Sequence, residues 1–491
     1  MPLRGFPDPR ESYARDTIAT AATICTLSLA AVYVASRTGF ENPLTPVVHA
    51  AGLALFHLAV PLIVSGLLAR VWHGRWWTSQ SFLTIASLVF TVVAGTVARE
   101  TGYSIAPLLP VSGGLLAAAI VARWVRRTKV LSSALFAVGA GIFSLWSAGI
   151  VWSTDNKWPL FWEFFSSFSA RANHDLVYFA AIANMMRTYG VPSTRIDGLP
   201  AIHYHYGSGW MFAQWADLIG IDVMSFYNLG YPIVVIPLFF AALLMLAVEI
   251  ARRLPVRAFE PPLRSQYAVW IVVAAATIGL LPERALYRLV TMWNPGSESY
   301  LTSLAVLLLA IGTALSHWRA DGPYAWGFFL TFVPLTLVAL GFLKVSLMIL
   351  LFAAGFYTVV RLGLWRRRTV LASVFLSLVA CILVYRVVSL PAQNQGIFPL
   401  AFARIYVARG WAPFFPLVHF AWIWIFIGAR LWEERSKTLE DLKRAIWSGR
   451  LLDAEIVLLV ALSGFSRGGF STFTEDRRSF SPTFNAGLRS A

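Results

Sequence analysis

Apolar stretches long enough to cross a bilayer recur from one end of this chain to the other, and no other feature narrows its fold as much. A helix needs roughly 20 apolar residues to span a hydrocarbon core of about 30 Å. Inside that core a segment must satisfy its own backbone hydrogen bonds, which leaves helices or a closed barrel. The chain's continuous apolar runs of this length are expected to be membrane-spanning helices. They are Thr17–Ser36, Val47–Ala69, Ser81–Ala98, Ser104–Val121 and Leu131–Val151, then Asn228–Ile250, Ala268–Leu281, Tyr300–Ser316, Ala325–Phe342, Val345–Val360, Val370–Tyr385, Phe414–Ile427 and Leu451–Ser463. The expectation is an all-α polytopic membrane protein of about 13 spans.

Composition agrees. Of 491 residues 58% are hydrophobic and 13% charged, with mean hydropathy +0.66, where a soluble domain carries about 25% charged residues. No stretch between the runs is large enough for a soluble domain, and the 20 Trp and 35 Phe suit interfacial belts and lipid-facing packing. The net charge of +16 is not a nucleic-acid signature, because the basic residues sit in short clusters between apolar runs; the partner is the lipid bilayer. Cys25 and Cys381 each lie inside an apolar run and form neither a disulfide framework nor a metal-ligand spacing. The N-terminus, MPLRGFPDPRESYARD, is polar and of mixed charge, and no small-residue cleavage site follows the first run, so that run reads as a retained helix.

Orientation follows from the clusters Arg70/Arg75, Arg123/Arg126/Arg127/Lys129, Arg252/Arg253/Arg257, Arg361/Arg366/Arg367/Arg368 and Arg430/Arg435/Lys437. All fall on one side of a single alternating path, which the positive-inside rule makes the cytoplasm. The N-terminus is then cytoplasmic, in what reads as a bacterial inner (plasma) membrane. The longest polar segment, about Trp152 to Tyr227, lies in the periplasmic or extracellular space. It is too long for a plain connector and holds two helical stretches, about Asn173–Thr188 and Gly209–Leu218. In the first, Asp175, Tyr178, Phe179 and Ile182 share one face. Both are expected to be amphipathic helices lying along the membrane surface.

This outer loop gathers Asp155, Glu163, His174, Asp175, Asp197, His203, His205 and Asp217. In IHYHYGSGW, His203, Tyr204, His205 and Tyr206 stand within four residues. An Asp there could serve as general base on an acceptor hydroxyl. His174, Asp175, His203 and His205 could bind a divalent metal, though no metal is favoured. The aromatics could stack on a sugar or a lipid headgroup. Against these stands the plain reading of interfacial anchors and loop hydrogen bonds. Two further outer loops bring Glu283, Arg284, Arg288, Asn294 and Glu298, and Gln393, Asn394, Gln395, Arg404 and Arg409. Outer arginines run against the positive-inside trend and suit an anionic group such as a lipid-linked phosphate, or are solvated loop charges. Lys344 stands between two apolar runs in ALGFLKVSLMILL, where it either snorkels to the interface or meets a phosphate.

The segment from HDLVYFAAIANMMRTYG through IHYHYGSGW to LGYPIVVIPLFF resembles the first outer loop and following helix of the GT-C superfamily. These are polytopic glycosyltransferases that use lipid-phosphate-linked sugars, such as protein mannosyltransferases and lipid A aminoarabinose transferases. The parts carrying the likeness are Asp175 with Tyr178, Gly190-Val191-Pro192, Tyr204-His205-Tyr206 and Leu218-Ile219-Gly220, and later ALGFLKVSLMILLFAAGF with Lys344 on the family's lysine. The likeness covers about Leu131 to Gly363. It implies a core at 131–365 with the catalytic loop at 152–227, an added four-helix region at 1–130 and a C-terminal membrane region at 366–491. It further implies that Asp175, beside His174, is the catalytic carboxylate. Lys344, with Arg404 or Arg409, would neutralise the departing phosphate, and Tyr204, His205 and Tyr206 would line the donor site. Glu283 or Glu298 would be a second outer acid. The partners implied are a polyprenyl-phosphate-linked sugar and an acceptor glycan, lipid or protein. The chain differs from the pattern in carrying His174-Asp175-Leu176 for a paired acidic motif and four spans ahead of the loop. Two other readings remain: a surface-polysaccharide polymerase or ligase, resting on Arg284, Arg288, Arg404 and Arg409, and a transporter or flippase. Transport would place ionisable groups or broken helices near the midplane.

Overall fold

The computed structural model describes residues 9–36, 44–72, 75–103, 105–128, 134, 136–142, 144, 174–193, 206–251, 298–319, 327–388, 440 and 455. All regular structure among them is helical. In chain order the helices are α1 (Pro9–Ser36), α2 (Leu44–Val71), α3 (Gln80–Thr101), α4 (Leu108–Arg127), α5 (His174–Tyr189), α6 (Gly207–Ile219), α7 (Tyr231–Ala251, entered through a π-helical turn Phe226–Gly230), α8 (Glu298–Arg319), α9 (Val333–Arg361, entered through a π-helical turn Phe328–Phe332) and α10 (Arg368–Val388). Eight segments among the described residues are long and apolar enough to cross a membrane: α1 to α4, α8, α10, and α7 and α9 with their π turns. The chain is an integral membrane protein.

Contacts divide it into two units, Met1–Phe352 with Leu364–Leu390, and Ala353–Gly363 with Pro391–Ala491. In the first unit, α1 and α4 meet where Asp16, fully buried, accepts hydrogen bonds from Arg123 and from Arg127 (3.4 Å), while the Trp124 indole donates to Thr17 at 3.0 Å. This is the basic end of the bundle. Thr78 and Ser65, joined by a 2.7 Å hydrogen bond, belong to the same end, as do Ser81, Met245 and Gly312. Lipid tails are as apolar as leucine, so helices in a membrane associate through close packing. The α2–α4 pair shows how: a Cβ at Gly52 would lie 2.5 Å from Pro110 N, and one at Gly113 would lie 2.8 Å from Gly52 O.

The helix directions follow from such pairs. Residues late in α7 and α8, Met245 and Gly312, both touch Ser81 at the start of α3. So α7 and α8 run the same way; the run Ala268–Leu281 read between them from the sequence lies outside the described residues. Early in α10, Ser373 donates to Phe329 O at 2.5 Å, and late in it Val384 meets Gly341. The first arm of α9 therefore runs parallel to α10, and the chain between them has to reverse. It does so at Lys344, which leaves the helical region (φ −162°, ψ 98°), with Met348 folded back against Gly341. The two apolar runs read from the sequence on either side of Lys344 are thus two arms separated by a break. In the second unit, Arg361 clasps Glu455 through Nε at 2.9 Å and Nη2 at 3.2 Å, and Tyr357 donates to the same carboxylate at 2.6 Å.

Candidate functional site

The long polar segment does not lie wholly on the surface. Its second helix, α6, is enclosed by the bundle: ten of its 13 residues are buried, and Trp210 is the exposed one. The expectation of a surface-lying helix fails here because α3 has a notch for α6 and supplies partners for its polar groups. At Gly95 the backbones approach so closely that a Cβ would stand 2.0 Å from Gln214 O. Beside the notch Thr96 donates to Gln214 Oε1 at 3.0 Å. One residue on, the Trp215 indole donates to Thr91 Oγ1 at 2.9 Å and its ring lies 5.4 Å from that of His57 in α2. His57 Nδ1 is 3.0 Å from Ser87 Oγ and Nε2 is 3.4 Å from Thr91 Oγ1. Ser87 donates its own proton to Thr84 O, which leaves Ser87 Oγ an acceptor for a hydrogen on His57 Nδ1. The polar atoms of Thr96, Trp215, Thr91, His57 and Ser87 named here each have a partner, which is the condition for burying them. At the other end of α6, His49 binds Ile219 O at 2.9 Å.

The first turn of α6 faces the broken helix. A Cβ at Gly207 would lie 2.9 Å from the backbone of Phe342, and the Tyr206 ring is 5.9 Å from that of Phe342. Lys344 is two residues further on. The N-cap residue Tyr206 makes no side-chain cap hydrogen bond to α6. The N–H groups of a helix's first turn lack intrahelical partners, and the helix dipole adds positive potential there. Burial raises the Tyr206 phenol above its ordinary pKa of 10, and does the same to Tyr178 on α5. Gly209 touches the Tyr227 hydroxyl, a Cβ there being 3.3 Å from it, and Ala183 of α5 on the other side. Tyr227 in the π turn and Tyr231 at the start of α7 are fully buried, and the carboxyl of Glu298, buried at the first residue of α8, lies within electrostatic reach of both. A π turn displaces the residues after it around the helix axis and recurs at functional positions.

Of the residues singled out from sequence, Lys344, Tyr206 and Glu298 therefore fall around one end of α6 or on the helices beside it. His174 and Asp175 are the first two residues of α5, and their side chains lie outside the described residues. So do Tyr204, His205, His203, Glu283, Arg284, Arg288, Arg404 and Arg409. The face read on α5 is split: Tyr178 is exposed, while Ala180, Ile182 and Ala183 are buried against α6. Asp217 is an ion-pair partner, 2.6 Å from Arg187. Sequence reasoning passed over Tyr227, Tyr231, Gly207 and Gly209. The tyrosines' spacing of four in FYNLGY was a signal that they share a helix face. No group of three or more His, Cys, Asp or Glu that could hold a metal occurs among the described residues. The chain matches no family model, no curated protein and no solved structure.

Proposed function

We propose that this protein is a membrane glycosyltransferase that moves a sugar from a polyprenyl-phosphate carrier to an acceptor on the non-cytoplasmic face of a bacterial inner membrane. The observation that carries the reading is that Phe342, two residues before Lys344 at the break in α9, packs on the first turn of α6, whose N-cap makes no side-chain hydrogen bond. A lysine close to a helix N-terminus, at the end of the bundle away from the basic clusters, suits a phosphate. In the reaction the acceptor hydroxyl attacks the anomeric carbon, and the carbon–oxygen bond to phosphate breaks with its electron pair leaving on the phosphate. The hydroxyl proton passes to a carboxylate, assigned to Asp175. Charge develops on the leaving phosphate, which is where Lys344 and the α6 amides would act. Tyr206, and Tyr204 and His205 before it, would border the donor, and Glu298 beside Tyr227 and Tyr231 would stand behind it.

The reading is tested by a surface-glycan and glycolipid mass profile of a deletion strain, complemented with wild type, Asp175→Asn or Lys344→Met at matched membrane levels. Wild type should restore a missing sugar, whose mass names the substrate. Asp175→Asn should not, and Lys344→Met should weaken use of the lipid donor while the protein still inserts. A deletion that alters no glycan would overturn the proposal. It would also favour a transporter, for which the buried Glu298 close to a π turn and the broken α9 are the supporting features.

A further inference from the structure

The last turn of α5 is held by groups the proposed reaction does not use. Arg187 Nη2 lies 2.6 Å from Asp217 Oδ1 of α6, and the Asp217 side chain is 5% exposed. The second oxygen, Asp217 Oδ2, is buried and has no hydrogen-bond partner, so the guanidinium of Arg187 is the group compensating this carboxylate. From α3, Arg99 Nη1 donates to the Arg187 carbonyl at 2.6 Å, satisfying one of the four carbonyls that a helix C-terminus leaves open. The same guanidinium is itself fixed by Glu100, through Nε at 3.1 Å and Nη2 at 2.5 Å. Gly190, in the left-handed region at φ 71°, returns its N–H to Met186 O and ends the helix there.

These contacts converge on one turn of a helix whose remaining packing is modest. Along its length α5 buries only Ala180, Ile182 and Ala183 among its described side chains, and Ala183 meets Gly209 of α6. Apolar contacts of this kind set a distance but not a rotation or a register. An ion pair and a cation on a carbonyl set both, because each has a preferred direction. We propose that Arg187, Asp217 and Arg99 form a clasp that fixes the rotation and register of α5 and thereby places Asp175, at its opposite end, on the acceptor. They are positioning residues. Asp175 lies 12 residues before Arg187, about 18 Å along a helix, so a rotation released at the clasp is carried whole to the carboxylate. A misplacement of about 1 Å at reacting atoms costs on the order of 100-fold in rate.

The assignment rests on Asp175 being the base, and the test separates the two ideas. Purified wild type, Asp217→Asn, Arg187→Gln and Arg187→Lys would be compared by amide hydrogen exchange and by sugar transfer from a polyprenyl-phosphate sugar at several donor concentrations. The expected result is faster exchange in α5 but not in α6 or α3 for Asp217→Asn and Arg187→Gln. Their kcat should fall at least 10-fold with KM for the donor within about 2-fold. Arg187→Lys, which keeps the charge, should recover part of both. Unchanged exchange in α5 would overturn the clasp, and so would faster exchange in α6, because the ion pair would then be holding α6 in the bundle. Looser α5 with unchanged kcat would overturn the positioning role and leave the clasp as a structural tie. If wild type transfers no sugar, the functional reading falls, and the exchange data still decide the clasp.

Discussion

Gly95→Ala is the substitution that most directly tests whether α6 belongs inside the bundle. A methyl at this position would start 2.0 Å from Gln214 O and 2.7 Å from Gln214 C, both backbone atoms of a buried helix. Ordinary contact begins at 3.4 Å, so α6 would have to retreat by about 1.4 Å, and no side-chain rotation relieves the clash. Overpacking of this kind costs about 1–3 kcal/mol. The same retreat stretches the Thr96–Gln214 and Trp215–Thr91 hydrogen bonds, each worth about 1 kcal/mol. A loss of roughly 3 kcal/mol is expected, against a gain of up to about 1 kcal/mol for alanine over glycine in a helix where space allows. The controls are Gly66→Ala and Gly114→Ala, where nothing lies within 4 Å of the added carbon. The assay is thermal denaturation of the detergent-purified variants, followed by intrinsic fluorescence at one scan rate because membrane proteins unfold irreversibly. Gly95→Ala should denature about 3 °C or more below both controls and should lose sugar transfer. A Gly95→Ala protein as stable as Gly114→Ala would refute the close α3–α6 approach and the enclosed α6 built on it.

Three other outcomes follow from the same packing. Asp16→Asn leaves Arg123 and Arg127 facing a neutral partner in the α1–α4 contact and should cost roughly 1–3 kcal/mol, read as a lower denaturation temperature; an unchanged value would mean that this pair contributes nothing. Because burial raises the Tyr206 phenol above 10 in the folded protein, any stability tied to its neutral form is complete below pH 10 and lost as pH rises through the raised value. Tyr206→Phe should therefore flatten the alkaline decline of thermal stability, and an identical decline in both proteins would rule that out. A reporter fused after Arg127 should read cytoplasmic and one inserted near Ser193 should read external, since the basic clusters set the orientation; the reverse would move Lys344 and α6 to the wrong side for the proposed chemistry.

What the sequence determined by itself was the part set by local chemistry. Twenty apolar residues in a row have one stable arrangement in a bilayer, so the helical class and the eight described spans could be read directly, and a lone lysine between two such runs marked where α9 breaks. The His174–Tyr189 and Gly207–Ile219 helices were legible to within two residues, because Gly190 and Gly220 end them in the left-handed region. Tertiary structure decided where those helices lie. The 13 residues of α6 are too few to cross a membrane, and their hydropathy does not distinguish an interfacial helix from an enclosed one. The choice depends on the notch at Gly95, on His57 and Thr91 supplying partners for Trp215, and on Arg187 compensating Asp217, all of which come from other segments. The same holds for Glu298, which reads as a loop acid until α7 brings Tyr227 and Tyr231 beside it. Hydropathy is a property of one segment against solvent; whether a polar group is buried with a partner is a property of two segments, and only the folded chain joins them.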